Sequence, residues 1–212
     1  PLNICITVFG EVPVMAGRSQ ALLRSGAKVG DDIYVSGNVG DARLALEVFR
    51  GTLQVPAAVF EQARARMEQP TPRVALGLAL RGVANAAIDI SDGLLGDLGH
   101  ILSQSGVGAR FETSFAAYLI ACRSNPAWSG CQSDLCLSDE RWLELVLAGG
   151  DDYELVFTSP SSARSRVKAA ALQSETSVTR IGVIEAAGGL RLVDAAGQPV
   201  NRRFVSFDHF AS

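Results

Sequence analysis

Two carboxylates gather in the stretch Ala87-Ile-Asp-Ile-Ser-Asp-Gly-Leu-Leu-Gly-Asp-Leu98. Its pattern predicts a short strand that ends at Ser91 and leads directly into a helix, so that Asp89 and Asp92 lie around one turn. Mg²⁺ binds carboxylate oxygens together with phosphates and waters, and it needs few protein ligands. Asp89, Ser91 and Asp92 fit that need. The alternative is that Ser91 or Asp92 only caps the helix while Asp89 ends the strand, and on spacing alone the two interpretations are equally supported.

A second acidic stretch, Gly149-Gly-Asp-Asp-Tyr-Glu154, lies between a predicted helix and a predicted strand. Glycines at such a junction permit close approach of the backbone to a ligand, and Asp151 and Asp152 could receive a cation or an amino group. The alternative is a helix C-cap at the two glycines followed by solvated acids, and it is favoured when this stretch is considered alone.

Two smaller features accompany these stretches. The loop Arg24-Ser-Gly-Ala-Lys-Val-Gly30 carries cations. The guanidinium of Arg24 could pair with phosphate oxygens, although a single surface arginine is usually only solvated. Phe207 and Phe210 place aromatic rings near the C-terminus, which is more typical of a docked tail than of a binding site.

The elements that must position these residues follow from periodicity and from turn residues. Strands are predicted at 3–9, 33–36, 86–90, 107–112, 153–157, 178–184 and 190–193. Helices are predicted at 41–50, with Asp41 as the cap, and at 56–69, 73–81, 94–104, 142–148 and 163–172. Residues 122–138 are expected to form a surface insertion. The prediction is an α/β or α+β fold, in which helices cover a mixed sheet.

Composition limits the classes of function. The net charge is 19 − 22 = −3, with 48% hydrophobic and 19% charged residues, as in an ordinary globular protein rather than a nucleic-acid binder. Apolar runs are much shorter than the roughly 18 residues that span a bilayer, so no membrane association is expected and a cytoplasmic location is predicted. The four cysteines form no C-x-x-C pair, and free thiols are favoured over a metal site or a disulfide at Cys131 and Cys136.

The opening residues 3–9 carry apolar side chains on both faces, as a central strand does. A strand of this type at the start of a chain predicts that further sequence precedes it. A domain boundary is expected near residues 13–17, where Pro13 and Gly17 break the pattern.

Four motifs in this order resemble those of the thiamine-monophosphate kinases, and the resemblance extends over residues 1–212. They are Arg24-Ser-Gly-Ala-Lys28, Ala87-Ile-Asp-Ile-Ser-Asp-Gly-Leu94, Gly149-Gly-Asp-Asp-Tyr-Glu-Leu155 and Phe207-Asp-His-Phe210. The wider superfamily includes aminoimidazole ribonucleotide synthetase, selenophosphate synthetase and a hydrogenase-maturation protein. The stretches 91–94 and 150–154 point to the thiamine branch in particular.

The resemblance implies direct in-line transfer of the γ-phosphoryl group of ATP to thiamine monophosphate, with Mg²⁺ and without a covalent enzyme intermediate. It also implies a C-terminal domain of the aminoimidazole ribonucleotide synthetase-like fold and a homodimeric full-length enzyme. Six positions receive roles: Asp89 and Asp92 as Mg²⁺ ligands, Arg24 and Ser91 as ATP contacts, and Asp151 and Phe207 as substrate contacts.

Two departures from the family pattern limit what can be transferred. The family commonly has Glu at the position of Asp151, so this carboxylate reaches roughly 1.5 Å less far. An acidic Gly-Asp-Asp motif and a Gly-Gly-Asp-Thr nucleotide loop of the family would lie upstream of Pro1, within about 120 to 130 further residues. Residues 1–12 would then be the last strand of an N-terminal ATP-binding domain, and residues 13–212 the C-terminal kinase domain.

The 212 residues alone are therefore expected to be inactive as a kinase. Two alternatives remain open: another ATP-dependent enzyme of the same superfamily, and a noncatalytic binding module that keeps the fold.

Overall fold

A mixed six-stranded sheet lies at the centre of the computed structural model, which describes residues 3–128, 137–202 and 204. The strands are β1 Val14–Met15, β2 Arg18–Ser19, β3 Asp31–Ser36, β4 Ala86–Ile90, β5 Gly108–Glu112, β6 Glu154–Pro160, β7 Val178–Glu185 and β8 Gly189–Val193. The helices are α1 Asp41–Phe49, α2 Ala57–Glu68, α3 Val74–Ala79, α4 Leu94–Ser105, α5 Ala116–Leu119, α6 Asp139–Ala148 and α7 Arg164–Gln173.

The strand order in the sheet is β4-β6-β3-β7-β5-β8, and β1 and β2 form a separate hairpin. Neighbouring strands of the sheet are antiparallel except β5 and β8, which are parallel. The strand β4 lies at one edge, so its carboxyl end, where the first acidic motif begins, is not enclosed by strands on both sides.

Helices cover both faces of the sheet because the strands alternate their side chains between two cores. Ile33 and Val35 of β3 face a core shared with Leu44 of α1 and Leu98 of α4, whereas Tyr34 between them faces the opposite side. There the Tyr34 ring stacks on Phe157 of β6, with 5.2 Å between ring centroids. This second core is closed by residues of α3 and α7. The predicted fold class, a mixed sheet covered by helices, is confirmed.

The predicted elements between residues 31 and 193 are confirmed within three residues at each end. The strand at 86–90 and the start of α4 coincide with the prediction, and Gly106 ends α4 in the left-handed conformation with φ 65°. The prediction that Asp41 caps α1 is wrong. Gly40 is the N-cap, and the Asp41 carboxylate accepts hydrogen bonds from the amides of Ala121 and Cys122 at 3.0 and 2.9 Å.

The predicted surface insertion at 122–138 is wrong at its beginning. Cys122 is fully buried, and its thiol contacts the Val59 carbonyl oxygen at 3.6 Å. The Trp128 indole donates to the Cys122 carbonyl oxygen at 2.6 Å, so the segment packs against the core there. Cys5 and Cys122 are free thiols as expected. Cys131 and Cys136 lie outside the described residues.

Residues 3–13 form neither helix nor strand, so the strand predicted at 3–9 is not observed. Ile4 and Phe9 are 76% and 91% exposed. A strand needs a partner for its backbone groups, and no described strand pairs with this segment. The division between residues 12 and 13 stays a prediction. Within the described part of the chain, no helix is long and apolar enough to cross a membrane.

Candidate functional site

The turn between β4 and α4 is organised by a carboxylate that sequence reasoning missed. Asp97 Oδ2 accepts hydrogen bonds from the amides of Ser91, Asp92 and Gly93 at 3.0, 3.1 and 3.2 Å. Burial raises the pKa of Asp97, while these amides act in the opposite direction. Gly93 occupies the N-cap position, so neither Ser91 nor Asp92 is the N-cap residue that the alternative interpretation required. The sequence signal that could have identified Asp97 is its position as an acidic residue in the first turn of a predicted helix.

The second acidic motif crosses directly over this turn. The Asp151 amide donates to the Ser91 carbonyl oxygen at 2.9 Å, and the Tyr153 amide donates to the Ile90 carbonyl oxygen at 3.0 Å. A Cβ added to Gly150 would lie 2.3 Å from the Ser91 carbonyl oxygen, so only glycine fits. The close backbone approach that was predicted at Gly150 is therefore made to the backbone of the first acidic motif, at Ser91.

Residues 151–154 alternate between exposed and buried. Asp151 and Tyr153 are exposed, whereas Asp152 and Glu154 are both fully buried. The interpretation of Asp152 as a solvated acid or cation ligand is wrong. Its carboxylate accepts hydrogen bonds from the amides of Gly40 at 2.7 Å and Ala42 at 3.3 Å, so it caps α1. Burial raises the pKa of Asp152 to about 8, although these two amides lower it.

Glu154 joins several elements through its buried carboxylate. Arg73 donates to it twice at 2.6 Å, Arg66 of α2 donates at 2.9 Å, and the Ser36 hydroxyl donates at 2.6 Å. Charge-assisted, two-point contacts of this kind fix geometry strongly. The start of β6 is thus held to the end of β3, to α2 and to the connection between α2 and α3.

Asp151 and Tyr153 have positive φ angles of 68° and 52°. This region is uncommon for residues other than glycine, and a bulky side chain there marks a strained backbone. Such conformations persist only where neighbouring interactions enforce them, and they concentrate at functional sites. Here the buried side chains of Asp152 and Glu154 provide those interactions.

Three predicted site residues share one cavity of about 250 Å³, here called the acidic-turn cavity. It is lined by Arg43, Leu46, Arg50, Ser91, Asp92, Gly150 and Asp151. Arg43 and Arg50 form ion pairs with Glu47 at 2.7 and 3.8 Å. Sequence reasoning missed these two arginines, although residues at positions i, i+3 and i+7 of a predicted helix share one face.

Asp89 lies in a different cavity of about 490 Å³, here called the tyrosine cavity. It is lined by Pro70, Pro72, Arg73, Val74, Gly77, Asp89, Tyr153 and Leu155. Asp89 belongs to the opposite face of β4 from Ile88 and Ile90, which point into the core. The structure therefore places the two predicted Mg²⁺ ligands, Asp89 and Asp92, in separate cavities. Among the described residues, no cluster of three or more His, Cys, Asp or Glu side chains could hold a metal ion.

Arg24 lines neither cavity. The Ala87 amide donates to the Leu23 carbonyl oxygen at 2.9 Å, and the Ser105 hydroxyl to that of Arg24 at 3.4 Å. Ser105 is the last residue of α4, whose 12 residues extend roughly 18 Å from the turn at Ser91. The backbone of Arg24 thus lies at the far end of α4 from Ser91. Phe207 lies outside the described residues.

The family model described as AIR synthase related protein, C-terminal domain, matches residues 28–195. Two curated relatives are the thiamine-monophosphate kinases of Salmonella typhimurium, 40% identical over 218 residues, and of Escherichia coli K12, 37% identical over 214 residues. Each alignment covers 100% of this chain and 61% of the relative. The chain thus spans less than two thirds of their length.

Solved structures show the same similarity. The thiamine-monophosphate kinase from Stenotrophomonas maltophilia superposes with a TM-score of 0.70 at 38% identity, over 87% of this chain and 56% of that one. AaThiL complexed with AMPPCP and TMP superposes with a TM-score of 0.66 at 27% identity, over 89% and 54% of the two chains. The hydrogenase maturation protein HypE of E. coli, at 20% identity and a TM-score of 0.57, shares the fold.

Proposed function

Since the chain belongs to the family of AIR synthase related proteins through their C-terminal domain, we propose that it forms the C-terminal part of an ATP-dependent thiamine-monophosphate kinase. The reaction would transfer the γ-phosphoryl group of ATP to thiamine monophosphate, giving ADP and thiamine diphosphate. The relatives that carry this name, and the neighbour that binds AMPPCP and TMP, support the substrate assignment.

The observation that carries the proposal is the hydrogen bond from the Asp151 amide to the Ser91 carbonyl oxygen at 2.9 Å. It brings the two acidic motifs to one cavity, so a nucleotide contact at Ser91 and a substrate contact at Asp151 would be neighbours. Phosphoryl transfer between two anions depends mainly on positioning and on compensation of charge. Arg43 and Arg50, which are both paired with Glu47, bring guanidinium groups to the same cavity.

Mg²⁺ is part of the proposal, with Asp89 and Asp92 as its protein ligands. The donor set fits, because Mg²⁺ takes one or two carboxylates and completes its octahedron with phosphate oxygens and waters. When bound, the ion would neutralise charge on the phosphates.

The remaining contacts and the biological setting follow from the same proposal. Arg24 and Ser91 would contact ATP, while Asp151 and Phe207 would contact the thiamine moiety. Asp151 is exposed at the acidic-turn cavity, where its carboxylate can meet an amino group directly or through water. We include a homodimeric full-length enzyme and a cytoplasmic location, where ATP is supplied.

Growth rescue tests the proposed reaction in vivo. The full-length gene that encodes this chain should restore growth of a thiamine-diphosphate auxotroph that lacks thiamine-monophosphate kinase. A full-length protein that is expressed and folded but gives no rescue would favour another enzyme of the superfamily.

Calorimetry tests binding by the chain itself. Titration with thiamine monophosphate, and separately with AMPPCP and Mg²⁺, should give heat of binding for at least one ligand. A folded chain that binds neither would favour the noncatalytic module.

A further inference from the structure

Among the contacts assigned above, only Asp89 belongs to the tyrosine cavity, and the apolar part of the lining has no assigned ligand. Prolines, Val74, Leu155 and the Tyr153 ring form most of its lining, and only Arg73 and Asp89 bring charge. A cavity of about 490 Å³ is large enough for a substrate-sized group. A larger cavity of about 680 Å³ beside α7 contains none of the predicted site residues.

Tyr153 is held at this cavity against its own backbone preference. Its φ of 52° is unfavourable for a bulky side chain, and the residue is 45% exposed. A glycine or an asparagine would adopt this conformation at lower cost, and nearly half of the tyrosine's surface is left exposed. Partial burial in the folded chain therefore offsets only part of the backbone cost of a tyrosine at this position.

The anchors on either side of Tyr153 fix the position of its backbone at the cavity. Asp152 is bound to the start of α1, and Glu154 is bound to Arg66 and Arg73. The Tyr153 amide is itself bound to the Ile90 carbonyl oxygen at 3.0 Å. A site built on such supports is preorganised in its backbone, so the segment that carries the ring does not have to be ordered when a ligand arrives.

We propose that the tyrosine cavity binds the planar heteroaromatic ring of a phosphate-bearing substrate, with the Tyr153 ring stacked against it. Pro70 and Pro72 supply rigid apolar walls, and proline has little conformational freedom to lose. The Arg73 guanidinium is fixed by Glu154 at the same cavity, where its charge suits a phosphate attached to the ring.

The inference rests on the proposed function, since both substrates of that reaction have this chemistry. ATP carries an adenine, and thiamine monophosphate carries an aminopyrimidine and a cationic thiazolium ring. The cationic ring would gain a further attraction from the face of a tyrosine. Binding measurements with the two ligands separately decide which ring occupies the cavity.

The test compares dissociation constants of the full chain for AMPPCP with Mg²⁺ and for thiamine monophosphate. Tyr153→Phe keeps the ring, Tyr153→Leu keeps the apolar bulk without the ring, and Tyr153→Gly removes both and relieves the backbone. Tyr118→Leu is the matched control, because Tyr118 is 78% exposed and lines neither cavity. Val74→Glu places a charge on the cavity wall at a position 66% exposed.

The expected result is that Tyr153→Phe and Tyr118→Leu bind as the unchanged chain does. Tyr153→Leu and Tyr153→Gly should weaken binding of one ligand by about five- to tenfold, the size of an aromatic contact. The melting temperature of Tyr153→Gly shows whether the variant folds, because glycine adopts the required φ freely but loses the packing of the ring. If the Tyr153 variants fail to fold, Val74→Glu provides the test instead. It should weaken binding of the ligand whose ring occupies the cavity.

Unchanged binding of both ligands by folded Tyr153→Leu, Tyr153→Gly and Val74→Glu would overturn the inference and leave the proposed function standing. An unchanged chain that binds neither ligand would instead remove the proposed function, and the inference with it.

Discussion

Arg73 binds Glu154 through two hydrogen bonds of 2.6 Å, from Nε to Oε2 and from Nη2 to Oε1. The carboxylate is fully buried and also accepts hydrogen bonds from Arg66 and Ser36. These contacts link β6 to α2, to the end of β3 and to the segment between α2 and α3.

Glu154→Gln should lower the free energy of unfolding by about 3 to 5 kcal/mol, because it leaves two partly buried arginines without their counter-charge. Urea unfolding monitored by circular dichroism measures this change. The control is Glu68→Gln, which breaks an exposed i,i+4 pair with Arg64 at 2.7 Å and should have little effect. Equal stabilities of the two variants would mean that the buried network contributes no more than a surface pair.

Gly150→Ala should destabilise the chain by about 1 to 3 kcal/mol, because a Cβ at 2.3 Å from the Ser91 carbonyl oxygen forces the two motifs apart. The matched control is Gly99→Ala in α4, where a Cβ meets no atom within 4 Å. That change should stabilise the helix by about 0.5 to 1 kcal/mol. Thermal unfolding of both variants measures the contrast, and an alanine tolerated at both positions would contradict the close approach.

Asp152 should make stability depend on pH. Burial raises its pKa to about 8 in the folded chain, above the ordinary value of 3.8 that it has in the unfolded chain. Between these values the folded state holds a proton that the unfolded state has released. The stabilisation from this group is therefore complete below pH 3.8 and is lost as the pH rises towards 8, with a slope of up to about 1.4 kcal/mol per pH unit.

Asp152→Asn removes the titrating group while keeping one acceptor oxygen for the amides at α1. Urea unfolding at pH 5 and pH 8 should show the unchanged chain losing more stability than the variant over this range. Parallel pH profiles of the two proteins would show that Asp152 does not titrate there.

Asp92→Asn should reduce kcat of the proposed full-length kinase by about a thousandfold, equivalent to about 4 kcal/mol, while the fold is retained. An amide ligand binds Mg²⁺ more weakly than a carboxylate does, so part of the loss should return at high Mg²⁺. The measurement is kcat across a Mg²⁺ titration, combined with a melting curve.

Asp139→Asn is the control for this change, since Asp139 lies on α6 with its side chain 88% exposed. A well-folded Asp92 variant with normal kcat would restrict Asp92 to a structural role at the start of α4.

Local patterns predicted the core of the fold and the two acidic motifs that line the acidic-turn cavity. β4 and α4 were predictable because alternating apolar residues run into a helical repeat at Ser91-Asp92-Gly93. The convergence of the two acidic motifs was not predictable, because the hydrogen bond between the backbones of Asp151 and Ser91 joins residues that are 60 positions apart in the sequence. Nor could spacing distinguish Asp151 from Asp152, because burial against α1 depends on where that helix packs. The positions of Asp89 and Asp92 in separate cavities likewise depend on the face of β4 that Asp89 takes and on the path of the turn that carries Asp92.

Because exposed and buried residues alternate from Asp151 to Glu154, these four consecutive positions are constrained in two different ways. Substitutions at the two outward positions alter what a ligand meets, whereas substitutions at the two inward positions loosen the scaffold. The chain can therefore exchange Glu for Asp at position 151, and so shorten a ligand contact, without refolding its surroundings. A saturation mutagenesis screen scored for folded protein should show tolerance that rises and falls with a period of two across this stretch. Substrate preference can thus diversify at 151 and 153 while 152 and 154 stay constant.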